Sequence, residues 1–306
     1  MRVVVTGGAG FIGSHVAEIF LERGNDVIVV DDLSTGARQN VPERASFEEL
    51  DIAERDALED ALGDGADLVC HLAAQASVTV SVEDPVRDCT SNVLGTLNVC
   101  EAARARSAPV IFASTGGALY GDNAPRPTSE GFAPEPLSPY GASKLAGEAY
   151  VSTWGRLYGA PNVVLRLGNV YGPRQSPHGE AGVVAIFSGG LLAGEAPELR
   201  GGGAPTRDYV HVHDVARAFV AAAEGGRAGT YNVGTGKETS TARVLELLQR
   251  AAAAELEPRH AELRSGELAA SALDSSRIEQ ELGWRATIDV EQGLAQTLDW
   301  YRHGRR

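Results

Sequence analysis

The sequence predicts an α/β protein: a doubly wound, mostly parallel sheet with a smaller C-terminal lobe interleaved with it. Three observations carry this. Short β-branched runs alternate with amphipathic stretches of helical period from residue 1 to about 167. The first run opens directly onto a glycine-rich turn, Thr6-Gly7-Gly8-Ala9-Gly10-Phe11-Ile12-Gly13, and the second closes on Asp31-Asp32. Beyond residue 167 the alternation loosens into chain rich in glycine and proline with separate helices. Strands joined by crossover helices form a right-handed parallel sheet, because a twisted strand feeding a right-handed helix packs back only that way.

Arg2 to Val5 reads as the first strand, and the helix after the turn (Val16, Ile19, Phe20, Leu21) stops at Gly24. Val27 to Val30 is the second strand. Strand, glycine turn, helix, strand and acid in this order form a dinucleotide fingerprint. Gly7, Gly10 and Gly13 permit a tight turn, close approach of backbone to a pyrophosphate, and close helix–strand packing. The helix N-terminus, at Phe11 and Ile12, presents amides and a positive dipole to the phosphates. Asp31, with Asp32 beside it, is placed to accept hydrogen bonds from a ribose 2′-hydroxyl. Its charge would repel a 2′-phosphate, so the predicted cofactor is NAD and the sheet is Rossmann-like.

A third strand is expected from Phe47 to Asp51, placing Asp51 and Ile52 near the adenine end of the cofactor. The helix from Arg55 to Leu62 leads to a strand over Leu68 to Leu72. Leu72, Ala73, Ala74 and Gln75 then offer small residues and backbone to the cofactor. One long amphipathic helix is predicted from Asp88 to Arg106; it carries Asn92, which is assigned to the cofactor site. The strand Val110 to Ala113 ends in Ser114-Thr115-Gly116-Gly117. The proline- and acid-rich stretch from Asp122 to Pro139 reads as a loop over the active site. A helix over Tyr140 to Leu157 and a strand over Val163 to Leu167 follow. Later helices are expected near 183–192, 214–224, 241–256 and 275–282 and at the end of the chain, with short strands at 209–212 and 231–233. Residues 1–167 with about 208–234 are assigned to the NAD-binding domain, and about 168–207 and 235–306 to a substrate lobe.

The stretch Ser138-Pro139-Tyr140-Gly141-Ala142-Ser143-Lys144 is where chemistry is expected. Tyr140 and Lys144, four apart on a helix, lie on one face. A nearby cation favours a phenolate, which would let the tyrosine act as acid or base near neutral pH. On spacing alone, a surface Tyr–Lys neighbour pair is an equal reading. The chain has 27 basic residues and only Lys144 and Lys237 are lysines. A lysine beside this tyrosine therefore reads as one the chemistry needs.

The net charge of −14 argues against a general nucleic-acid binder. It also repels anionic substrates, so a phosphate site must use local arginines and backbone amides. No apolar run approaches the roughly 20 residues of a membrane span, and Met1 leads straight into a strand with no signal-peptide layout. Cys70, Cys89 and Cys100 match no metal spacing and read as buried free thiols, with a cytoplasmic location expected. His211 and His213 alternate along a strand, His71 reads as structural or cofactor-flanking, and no metal is assigned.

Several separated motifs agree. The glycine fingerprint, the Tyr140/Lys144 pair, Arg207-Asp208-Tyr209-Val210-His211-Val212 and Tyr231-Asn232-Val233-Gly234 resemble the extended short-chain dehydrogenase/reductases. Within them the likeness is to the nucleotide-sugar 4-epimerases, the group of UDP-glucose 4-epimerase, and it runs to the Leu282-Gly283-Trp284 turn. The resemblance implies that Tyr140 removes the proton of a sugar 4-hydroxyl while hydride passes to NAD. It implies that Lys144 holds the phenol's pKa down and binds the nicotinamide ribose, and that Thr115 or Ser114 hydrogen-bonds the 4-oxygen. The usual catalytic Ser/Thr position falls on Gly116, a departure from the family pattern. Gly116 and Gly117 also stand where the dehydratases and decarboxylases of the family carry acids. For a UDP-sugar, the resemblance assigns Asn169, Arg207, Arg264 and Glu267 to the substrate, and Ser271 to the wall that admits or excludes an N-acetyl group. It also implies a homodimer pairing helices 88–106 and 140–157; apolar positions on them such as Val93, Leu97, Leu145 and Val151 serve this pairing or, equally, the intramolecular core. A dehydratase, decarboxylase or reductase on the same scaffold, and a non-catalytic NAD-binding regulator, are the alternatives.

Overall fold

The computed structural model describes residues 1–63, 65–177, 182–263 and 268–303. Along the chain the elements are β1 (Arg2–Thr6), α1 (Phe11–Glu22), β2 (Asp26–Asp31), β3 (Ser46–Glu49), α2 (Arg55–Leu62), β4 (Leu68–His71), α3 (Val78–Glu83) and α4 (Pro85–Cys89). A π-helical turn (Thr90–Leu94) leads into α5 (Gly95–Arg104), followed by β5 (Val110–Thr115), α6 (Pro139–Tyr158), β6 (Val163–Leu167), β7 (Asn169–Tyr171) and α7 (Val183–Ala193). The remainder is β8 (Glu198–Arg200), β9 (Thr206–Arg207), β10 (Tyr209–His211), α8 (Val212–Gly225), β11 (Gly229–Val233), β12 (Thr239–Ser240), α9 (Thr241–Ala252), β13 (Arg259–Ala261), α10 (Ser276–Leu282) and α11 (Val290–His303).

Seven strands form one parallel sheet in the order β11-β6-β5-β4-β1-β2-β3. The apolar strand runs predicted this, since both faces of such a sheet are covered. Val3, Val5, Ile111 and Leu165 face a cluster that includes Val16 and Phe20 of α1 and Phe219 of α8. Val4, Val69, Val110 and Phe112 face the opposite cluster, with Leu58 of α2, Val99 of α5 and Val151 of α6. The chain reverses its winding direction between β1 and β4, and ligands of such sheets bind outside the carboxyl ends of the strands there. A separate cluster of Phe187, Leu191, Val244, Leu248, Leu294 and Leu298 joins α7, α9 and α11. The fully buried Asp214 ties the C-terminal segment to α8 by accepting the Thr287 and Ile288 amides at 2.9 and 3.0 Å.

Three expectations change. The helix expected over 88–106 is present and runs unbroken from Pro85 to Arg104, but it carries one π turn at Thr90–Leu94, where Asn92 is buried. Val151, offered as an intersubunit position, is fully buried in the intramolecular core. Cys70 and Cys100 are buried free thiols, but Cys89 is exposed, because it lies on the outer face of α4. Five short strands (β7, β8, β9, β12 and β13), only two or three residues each, escape sequence reading because they are too short to show a period.

Candidate active site

The glycine turn is closed by backbone. Gly7 has φ of +71°, and a Cβ there would stand 2.6 Å from the Ala73 nitrogen. A Cβ on Gly13 would stand 2.1 Å from the Gly7 carbonyl oxygen. Both positions therefore demand glycine, and no side chain caps the N-terminus of α1 at Gly10. Asp31, almost wholly buried, accepts the Ala9 amide and the Leu33 amide, each at 2.9 Å. Burial pushes its carboxyl above the usual range, and these amides oppose the shift. Asp32 is exposed and caps a local turn by accepting from the Ser34 amide at 2.9 Å.

Other expected cofactor residues are spoken for within the protein. The Ile52 side chain is buried beneath Gly95, and its carbonyl accepts from Asn98 at 3.1 Å. Asp51 accepts from the Ala53 amide at 2.9 Å. The Leu72 amide bonds to the Thr6 carbonyl at 3.0 Å, which lays Ala73 against Gly7. Gln75 and Asn92 face each other: the Gln75 amide donates to Asn92 Oδ1 and Asn92 Nδ2 donates to the Gln75 carbonyl, both at 2.9 Å. Asn92 Nδ2 also reaches Ser143 Oγ on α6 at 3.0 Å. The inward turn of Asn92 makes it a strut between the β4 loop and α6.

Ser138 caps α6 by accepting the Gly141 amide at 3.2 Å, with Pro139 in the first turn. This sets Tyr140 and Lys144 on successive turns. Burial, reinforced by Asp88, pushes the Tyr140 phenol up to about 12. Burial pulls Lys144 down to about 8, opposed by Glu148 and Asp88. Lys144 Nζ lies 4.3 Å from the centroid of the Phe112 ring. Among the protein's own groups, burial first and then Asp88 raise the phenol. Beneath Lys144, the fully buried His71 shares Thr6 Oγ1 at 2.8 Å and Thr96 Oγ1 at 2.9 Å, and burial with the Lys144 charge holds it neutral, near 3.

The two candidate hydroxyls part company. Ser114, on the Phe112 side of β5, is buried and donates to Glu148 Oε1 at 2.6 Å. Thr115 closes the strand, and its Oγ1 accepts the Ala118 amide at 3.2 Å. A Cβ built on Gly117 would lie 3.3 Å from Asn169 Oδ1 and 4.0 Å from Thr115 Oγ1, so these groups converge. A Cβ on Gly116 would stand 2.5 Å from a methyl of the Leu273 side chain, which would have to shift to admit it. Gly116, Gly117, Tyr120, Arg126 and Ser271 line one cavity. Arg207, half-buried on β9, donates to the Thr206 carbonyl at 2.8 Å. Arg264 and Glu267 lie outside the described residues.

The match to a family model for NAD dependent epimerases and dehydratases covers residues 3–234. The chain belongs to the NAD dependent epimerase/dehydratase family. It is 44% identical over 312 residues to the UDP-glucose 4-epimerase of Mycolicibacterium smegmatis, with 99% of each chain covered. The UDP-glucose 4-epimerase of Thermotoga maritima, solved with UDP-glucose, superposes with a TM-score of 0.97 at 43% identity, covering 99% of both chains. That of Thermus thermophilus, solved with NAD, gives 0.92 at 46% identity, again with 99% of both covered. The family's cofactor fits what the residues offer: a side-chain-free cradle at Gly7 and Gly13, the bare amides of α1, and an acid at the end of β2.

Sequence reasoning missed a buried network beside Lys144. Glu148, one turn past Lys144, is bidentate to Arg166 of β6: Nε reaches Oε1 and Oε2 at 2.9 and 3.1 Å, and a terminal nitrogen reaches Oε2 at 2.6 Å. Arg166 also donates to the Tyr120 hydroxyl at 2.8 Å, which donates to Asn232 Oδ1 at 2.9 Å. The Tyr140, Lys144, Glu148 spacing signalled Glu148, but nothing local signalled its partner. Asp208, also buried, accepts the Thr235, Gly236 and Leu273 amides at 2.8, 3.0 and 3.1 Å and so holds the turn after β11 against the cavity wall. Among the described residues, no group of three or more His, Cys, Asp or Glu is arranged to hold a metal ion.

Proposed function

We propose that the protein is a UDP-glucose 4-epimerase with resident NAD, interconverting UDP-galactose and UDP-glucose by transient oxidation at C4. The observation that carries this is the corner Thr115-Gly116-Gly117 at the end of β5: a hydroxyl that converges with Asn169 at Gly117, with glycines where elimination or decarboxylation would need an acid. Bound in the glycine cradle, NAD would supply a hydride acceptor and donor for C4 of the sugar. Tyr140 takes the 4-hydroxyl proton and later returns it, so the cycle consumes no acid or base. Thr115 accepts from Ala118 and keeps its own hydrogen for the 4-oxygen, whereas Ser114 spends its hydrogen on Glu148. Lys144 is the cation for the nicotinamide ribose. Asp31 is the acceptor for the adenosine ribose, and the backbone around Gly10, Phe11, Ile12, Leu72, Ala73 and Ala74 follows the cofactor. Arg207 and Arg264 take the diphosphate, Glu267 the uridine ribose, and Asn169 contacts the substrate; an arginine fork suits phosphate in an acidic protein. Gly116, Gly117, Ala270 and Ser271, small residues that line one narrow cavity, are assigned to the sugar side of the site, with Ser271 at the wall that admits or excludes an N-acetyl group.

The NAD-binding part comprises residues 1–167 with about 208–234, and the substrate lobe about 168–207 and 235–306; β11 lying in the main sheet supports this division. Val86, Leu94, Leu157 and Tyr158 are 74, 46, 63 and 49% exposed on α4, the π turn and α6. They supply the apolar face for a two-fold homodimer that Val151 cannot. Among the described residues no helix is long and apolar enough to cross a membrane. The three free thiols fit a reducing, cytoplasmic setting.

Incubating the purified protein with UDP-galactose, UDP-N-acetylgalactosamine and UDP-galacturonate, without added NAD, tests the reading. Conversion of UDP-galactose to UDP-glucose is expected, and the other two pairs report on the cavity. No conversion by protein shown to carry NAD would overturn it.

A further inference from the structure

Arg174 combines a strained backbone with a firm grip on its side chain. Its φ is +70°, in the left-handed region that residues with side chains rarely adopt. Such a conformation persists only where the surroundings hold it, and α1 supplies the hold. The fully buried Ser14 accepts one terminal nitrogen of Arg174 at 3.3 Å and itself donates to the Phe11 carbonyl at 3.0 Å. The other terminal nitrogen reaches both oxygens of Glu18, at 3.3 and 3.0 Å. Between them His15, almost wholly buried, donates from Nε2 to the Pro173 carbonyl at 2.9 Å. Three side chains on two turns of α1 thus hold the dipeptide Pro173-Arg174.

The held segment leads straight back to the substrate side. Gly172 joins it to β7, which opens on Asn169, and Asn169 Oδ1 converges with Thr115 Oγ1 at Gly117. Gln175, next after Arg174, donates to the Val170 carbonyl at 3.3 Å and folds the segment back on β7. β7 pairs with β10 in a two-stranded sheet of its own, outside the main sheet that carries the glycine cradle. Its place relative to α1 is therefore set by contacts such as this grip. We propose that Arg174 is a positioning residue: by locking the segment after β7 to α1, it fixes where Asn169 stands relative to the bound cofactor. This rests on Asn169 contacting the substrate in the proposed reaction. Arg174 and Glu18 are 23 and 42% exposed, so their ion pair by itself is worth little. The effect lies in geometry. Without the grip the strained backbone at Arg174 relaxes, β7 shifts with it, and hydride transfer tolerates little displacement between sugar and nicotinamide.

The test compares Arg174→Ala with Arg174→Gly in the NAD-loaded enzyme, read by kcat/KM for UDP-galactose, bound NAD and Tm. Arg174→Ala loses the grip while still needing the left-handed backbone. Its kcat/KM should fall roughly tenfold, the scale of one charge-assisted hydrogen bond, with NAD still bound. Arg174→Gly loses the same grip, but glycine takes that backbone freely, so the segment stays in place and kcat/KM should recover most of the loss. Glu18→Ala/Arg174→Ala should lose no more than Arg174→Ala alone, since both break one contact. A merely structural role would lower Tm and leave kcat/KM of the folded, NAD-loaded fraction unchanged. That result, or an equal loss in the alanine and glycine variants, would overturn the proposal. If Arg174→Ala does not fold, Glu18→Ala takes its place: kcat/KM should fall roughly threefold, within the range of a half-exposed pair, and an unchanged value overturns the proposal. If the wild-type protein carrying NAD converts no UDP-galactose, the epimerase reading fails and this proposal with it. If it converts UDP-galactose while Arg174→Ala keeps its kcat/KM, the proposal alone fails.

Discussion

Glu148→Gln should destabilise the protein by about 3–5 kcal/mol, the cost of leaving a buried charge without its partner. Glu148 and Arg166 are 6 and 8% exposed. The substitution removes the charge that answers Arg166, and it places an amide NH₂ among donors, since Arg166 Nε, an Arg166 terminal nitrogen and Ser114 Oγ all donate to this carboxylate. Arg166 cannot escape to water, because its other terminal nitrogen is held by Tyr120. Nor can it shed its proton, since burial alone leaves a guanidinium charged. For a chain of this size the loss should appear as a fall in Tm of roughly 6 °C or more. Urea unfolding followed by circular dichroism measures it. The double variant Glu148→Gln/Arg166→Leu removes the stranded charge and should recover a substantial part of the loss. A single-variant cost below about 1 kcal/mol, the range of an exposed pair, would refute the reasoning. So would strictly additive losses in the double variant.

Other outcomes follow from the same geometry. Gly13→Ala should abolish NAD retention during purification, since its methyl would overlap the Gly7 carbonyl; a variant that elutes with full cofactor absorbance would count against the cradle. Thr115→Ala should lower kcat about a hundredfold, the scale of one lost donor to a reacting oxygen. Ser114→Ala should leave kcat nearly unchanged and cost about 1 kcal/mol of stability; the reverse pattern would exchange their roles. His15, His71 and His211 are held neutral by burial, near 3, 3 and 4 against an ordinary 6.5. The unfolded chain takes up their protons first, so stability should fall as pH drops below about 6.5 and keep falling towards 4. The slope should approach about 1.4 kcal/mol per pH unit for each histidine. A flat urea midpoint between pH 6 and 4.5 would rule this out.

The features legible in the sequence are those carried by local period and spacing. Alternation of strand and helix predicted the parallel sheet, because each run must bury its own apolar face whatever surrounds it. Gly7 and Gly13 were legible because a turn this tight excludes every side chain. Tyr140 and Lys144 were legible because a helix repeats every few residues. The rest depends on which surfaces meet. Whether Ser114 or Thr115 faces the site follows from which side of β5 is covered by α6, and Ser114 lies on the side that meets Glu148. Arg166 and Glu148 find each other only because β6 lies beneath α6. Asn92 turns inward because of one π-helical turn that no hydrophobic period announces. Most of all, the proton affinity of Tyr140 answers to desolvation and to Asp88, which is remote from it in the chain. Burial and through-space charge are properties of the packed molecule. A sequence supplies the groups, and only their enclosure sets the energies at which they ionise.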